Sequence, residues 1–107
     1  MKTLVMLSAA FFVSIGTAQA CELQKRFLLG QISKPISGIA RELKGKDVVA
    51  VKRVERSARC DFAVQTEWTT DDGDLVECYT QVRVERSGSS KLVIKFLGTD
   101  QRTTCFL

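Results

Sequence analysis

The chain has 107 residues, with 16 Lys and Arg against 12 Asp and Glu, four cysteines and no histidine. That length allows one domain, and so small a surplus of positive charge does not by itself mark a nucleic-acid or membrane-surface binder. The absence of histidine excludes Ser-His-Asp and Cys-His nucleophilic sites, histidine-ligated metals and a histidine general base.

Residues 1–20 predict a secretory signal peptide: Lys2, an apolar run from Leu4 to Ile15, then Gly16-Thr17-Ala18-Gln19-Ala20 with a small-x-small cleavage pattern. The run is shorter than the roughly 20 residues a membrane-spanning helix needs. Cleavage after Ala20 leaves 87 of the 107 residues as a mature chain that begins at Cys21, is secreted or periplasmic, and has no transmembrane segment. Without Lys2, 15 basic residues face 12 acidic ones. A lipid on Cys21 is the competing expectation, but it would leave an odd thiol in an oxidising compartment.

From Cys21 to Gly45 the periodicity is helical and interrupted. Leu23, Phe27 and Leu28 fall at helical spacing, with Gly30 available to close that piece. Ser33 is an N-cap candidate just before Pro35, and Ile36, Ile39, Ala40 and Leu43 form an i, i+3, i+4, i+7 stripe that stops at Gly45. The reading is two short helices, or one helix broken between Gly30 and Pro35, with an apolar face that requires a sheet.

After Asp47 the period becomes 2. Cys60, Phe62, Val64, Thr66 and Trp68 alternate with polar or small residues, as do Val76, Cys78, Thr80, Val82 and Val84, and Asp71-Asp72-Gly73-Asp74 forms the turn between the two runs. Setting Thr69 opposite Leu75 puts Trp68 opposite Val76, Thr66 opposite Cys78 and Phe62 opposite Val82. All large apolar side chains except Leu75 and Tyr79 then share one face, and a one-residue slip would turn them to solvent. Trp68 belongs to that face and reads as core. Leu92, Ile94 and Phe96 supply a further strand after Ser87-Gly88-Ser89.

Arg53-Val54-Glu55-Arg56-Ser57 recurs as Arg83-Val84-Glu85-Arg86-Ser87, which reads as two similar strand-to-turn junctions rather than a duplication. The strands expected are 47–55, 60–69, 75–85 and 91–97. Residues 1–20 aside, the chain from 21 to 107 is therefore one α+β domain, an N-terminal helical segment packed on a four-stranded antiparallel β-meander stabilised by two disulfides. The order of elements resembles the cystatin layout. Gln81-Val82-Arg83-Val84-Glu85 lacks the glycine of the cystatin Q-x-V-x-G loop and falls within a strand, so no activity is carried over.

In this register Cys60 and Cys78 are six residues apart along the ladder, about 20 Å at the rise of a strand, too far for a disulfide. Cys78 is expected opposite Gly98, from where the tail can bring Cys105 back to it, and Cys21 is left for Cys60. The expected bonds are Cys21–Cys60 and Cys78–Cys105. The absence of a C-x-x-C pair argues against a zinc or redox site.

No cofactor or metal is expected: the carboxylates of Asp71, Asp72 and Asp74 lack calcium-loop spacing, and no phosphate-cradling glycine loop is present. The chain is read as not an enzyme. Its charges sort by end. Arg53, Arg56, Arg59, Arg83, Arg86 and Lys91 gather at the repeated turns, and Glu67, Asp71, Asp72, Asp74, Glu77 and Asp100 at the other end. The binding candidates are those six cations together with Asp71, Asp72, Asp74 and Tyr79. The expected function is an exported binding module that inhibits or antagonises another protein through the acidic hairpin, with Tyr79 as the exposed aromatic. The alternative is an envelope-associated factor whose basic end holds an anionic surface. Nucleic acid is not expected as a partner.

Overall fold

The computed structural model describes residues 21–88, 90–98 and 101–107; the expected signal peptide lies outside the described residues. Helix α1 covers residues 21–32 and helix α2 spans Gly38–Glu42. Strands β1 (Asp47–Arg53), β2 (Asp61–Thr69), β3 (Leu75–Ser87) and β4 (Lys91–Phe96) form an antiparallel meander, and β5 (Thr103–Phe106) also pairs with β3. The expected α+β architecture is present, with one strand more than the periodicity shows.

Two details of the helical layer differ from expectation. Gly30 does not end α1, which runs on to residue 32. The N-cap of α2 is Ser37, whose Oγ accepts from the Ala40 N–H at 3.1 Å, whereas Ser33 Oγ donates to the Gly30 carbonyl. The residues between Ser33 and Ser37 therefore form turns, and Ile36, expected in the apolar stripe, is 81% exposed. Gly45, at φ +83°, ends the layer as expected of a residue that tolerates left-handed backbone.

The β2–β3 register is the one expected, from Thr69↔Leu75 through Thr66↔Cys78 to Asp61↔Arg83. Leu28 of α1, Ile39 of α2 and Leu43 pack with Phe62, Val64, Val82 and Val84 as the core. Phe62 is fully buried, and truncating such a side chain costs about 3–5 kcal/mol. This cluster lies toward one end of the inner face. Trp68, on the same face beside the 69–75 turn, lies outside this cluster and is 38% exposed, a correction to its reading as core.

β3 is long enough to hold two partners on one edge: β4 pairs with residues 82–87 and β5 with residues 77–80. The β4 pairing stops at Val82↔Phe96, so Gly98 does not lie opposite Cys78 as expected; Cys105 itself does. Cys21–Cys60 and Cys78–Cys105 are both formed, and the second joins directly opposed residues with Cα atoms 4.0 Å apart. On the same face Thr103 Oγ1 donates to Glu42 Oε2 at 2.7 Å, so the Thr80 hydroxyl, 2.7 Å away, donates to Thr103. The bond and this hydroxyl chain fix β5 to β3 and to α2.

β1 carries a bulge between Val48 and Ala50. A bulge changes which face later residues take. Asp47 shares the outer face, opposite the one that α1 and α2 cover, with its partner Glu67, but Arg53, opposite Phe62, is on the inner one. Arg83, the equivalent of Arg53 in the sequence echo, is opposite Asp61 on the outer face. The two copies are thus placed inequivalently, in keeping with similar junctions rather than a structural repeat.

Candidate functional site

Among the described residues no helix lies over the outer face of the sheet, and its charged groups divide into two unlike ends. At the end carrying the 54–60 loop and the 87–91 turn, cations meet carboxylates. Arg83 Nε donates to Asp61 Oδ1 at 2.6 Å and Nη2 to Oδ2 at 3.0 Å, and Ser57 Oγ donates to the same Oδ2 at 2.8 Å. This arrangement pins the loop and buries Asp61 to 6% exposure. The guanidinium of Arg83, with help from Ser57, holds the Asp61 carboxyl below the usual carboxylate range despite its burial. Glu85 lies 2.8 Å from Lys95 Nζ and 3.8 Å from Arg59 Nη1, and the ammonium lowers its pKa as well.

Of the six basic candidates, Arg83 and Arg59 therefore already have carboxylate partners. Arg53 is turned under α1, half-buried, with a buried Nε lacking a hydrogen-bond partner among the described residues; it lines a small cleft with Cys21, Lys25 and Phe62. Arg56, Arg86 and Lys91 are exposed.

The opposite end is different. Asp47 faces Glu67 across β1 and β2, and Glu67 faces Glu77 across β2 and β3, so three carboxylates stand side by side on adjacent strands. Like charges directly opposed in a sheet are destabilising. Among the described residues none of the three has an ion pair, and the Tyr79 hydroxyl reaches Glu77 Oε2 only at 3.5 Å. Asp71, Asp72 and Asp74 are exposed in the adjoining turn, also without ion pairs among the described residues. That turn is tied by its own residues. Thr70 N–H donates to the Asp74 carbonyl, Asp74 N–H donates to Thr70 Oγ1, and Gly73 takes φ +91°. Asp100, expected at this end, lies outside the described residues.

Beside the carboxylates is an aromatic pair. Tyr79, half-buried between Gln65 of β2 and Thr104 of β5, has its ring centroid 6.1 Å from that of Phe106 at a tilt of 60°, and Phe106 sits opposite Glu77. Phe106 and Leu75 remain more than half exposed. Tyr79, Gln81, Arg102, Thr104 and Phe106 line an open cleft of ≈ 360 Å³. The site thus joins the predicted Asp71, Asp72, Asp74 and Tyr79 to Asp47 and Phe106, which the sequence reading missed. Phe106 was missed because β5 is too short to show a period. Asp47 was missed because only the register aligns it with Glu67 and Glu77.

Among the described residues no group of three or more Cys, Asp or Glu is placed to hold a metal ion, and no helix is long and apolar enough to cross a membrane. Comparison with family models, with curated proteins and with solved structures finds no match to this chain.

Proposed function

We propose that this chain is an exported, non-enzymatic binding module that inhibits or antagonises another protein, and that its contact surface is the acidic end of the outer sheet face together with the 70–74 turn. The observation that carries the reading is the row Asp47, Glu67 and Glu77, which places like charges on opposed residues with no ion pair among the described residues and borders the exposed Phe106. A feature that works against folding is retained where a ligand supplies what the fold lacks. Here that ligand is a protein surface rich in Lys or Arg, whose cations neutralise the row and whose stems lie on Tyr79 and Phe106. Two disulfides fit an oxidising compartment, secreted or periplasmic, as does the leader-like composition of residues 1–20.

The test is capture of partners by the oxidised protein from the producer's exported and envelope fractions. Two variants run in parallel, Asp71→Ala with Asp72→Ala, and Arg56→Ala with Lys91→Ala. A stoichiometric protein partner lost with the first variant and kept with the second is the expected result. Retention of anionic envelope material that is lost only with the second would replace this reading by a surface-associated factor.

A further inference from the structure

We infer that β1 is a dimerisation edge and that two copies of this chain join by antiparallel pairing of their β1 strands across a twofold axis at Ala50. Among the described strands β1 has only β2 as a neighbour, so its other edge is open. Open edges are blunted in monomers by inward charges, edge lysines, bulges, prolines or very short strands. β1 has such features only toward its two ends, the bulge after Val48 and Lys52 with the inward Arg53; it has seven residues and no proline, and Val48 and Val49 are exposed apolar side chains within it.

The register follows from the bulge. Counted in rungs against β2, Asp47 holds the first, Val48 the second opposite Thr66, Val49 is the extra residue of the bulge, and Ala50, Val51 and Lys52 hold the next three. A twofold axis on the Ala50 rung then sets Asp47 opposite the second copy's Lys52, twice by symmetry, with both residues on the outer face. It sets Val48 opposite the second copy's Val51, both on the inner face. Without the bulge Asp47 and Lys52 would point to opposite faces and could not meet.

The backbone agrees. Val54 N–H donates to the Asp61 carbonyl at 2.8 Å, so by the alternation of an antiparallel ladder Ala50 and Lys52 turn their backbone groups to β2 while Val51 turns its own outward. In the twofold register Val51 is one of the residues that must bond across. Moving the axis one rung, to Val51, would oppose Arg53 to Val48 and lose both ion pairs. The chosen register also gives a cation to Asp47, the member of the acidic row at the open edge. A ladder this short makes a reversible dimer.

The test is sedimentation equilibrium of the oxidised protein with hydrogen exchange at Val51. A concentration-dependent dimer is expected, in which the Val51 amide gains protection as the dimer fills. Lys52→Asp alone and Asp47→Lys alone each place like charges in both symmetric pairs and weaken self-association roughly tenfold. The double variant restores it. Far-ultraviolet circular dichroism shows that each variant is folded. A protein that stays monomeric, or a dimer indifferent to both single reversals, or a double variant that fails to recover, overturns the proposal.

Discussion

Replacing Glu67 by Gln tests whether the carboxylate row is a load on the fold. Glu67 is the middle member: it faces Asp47 on one side and Glu77 on the other, so one neutral substitution removes both like-charge oppositions. Cross-strand pairs contribute about 0.2–1 kcal/mol each, and partly solvated carboxylates belong at the low end of that range. The gain is therefore about 0.4–1 kcal/mol, or a rise in melting temperature of about 2–6 °C for a chain of this size. The assay is thermal unfolding at neutral pH in low and in high salt. Because the repulsion is screened over about 10 Å at 0.1 M salt, the gain should shrink as salt is added. Glu67→Gln that is neutral or destabilising in low salt, or whose effect does not depend on salt, would mean that the row places no electrostatic load on the fold.

Asp61→Asn should destabilise by about 1–3 kcal/mol, since it leaves the Arg83 guanidinium and the Ser57 hydroxyl without their charged acceptor. The same group sets a pH dependence. The Asp61 pKa is depressed on folding, so its contribution is fully present above the usual carboxylate range and is lost as pH falls through the depressed value. Unfolding measured against pH should therefore show an acid limb that is shallower in Asp61→Asn. Removing Cys78–Cys105 with paired serines opens a loop of sequence separation 27, worth about 3.5 kcal/mol in the chain-entropy model, and denaturant melts should show a loss of that order. Gly73→Ala, at φ +91° in the hairpin turn, should cost about 1 kcal/mol or more in the same melts.

The central hairpin was legible because a single assumption, Thr69 opposite Leu75, gathers nearly all the large apolar residues on one face, and only one register does so. Strand rise excluded a Cys60–Cys78 bond, but the choice of Cys105 for Cys78 went by way of Gly98, whereas it is β5 that sets Cys105 directly opposite Cys78. What the sequence hid is non-local. β5 is four residues long, Thr103–Phe106, and its place is set by a covalent bond and a hydroxyl chain to Glu42 rather than by periodicity. The inward turn of Arg53 depends on a bulge between Val48 and Ala50, which no composition marks. Ser37 rather than Ser33 caps α2 because the turns before it reach their limit only at Ser37, whose hydroxyl also meets the Gln31 carbonyl. At the site, the acidic turn could be read directly. That three carboxylates share one row, and that Arg59, Arg83 and Lys95 are paired with carboxylates at the opposite end, required the register and the side chains.

The measurement that bears most directly on the account is hydrogen exchange of the protein alone and in complex with its captured partner, followed amide by amide. Protection concentrated in residues 65–79 and 103–106, and weakened by added salt, is the result predicted for a cationic protein surface docked on the acidic end. Protection confined to residues 54–61 and 86–92, with the acidic end unchanged, would contradict it.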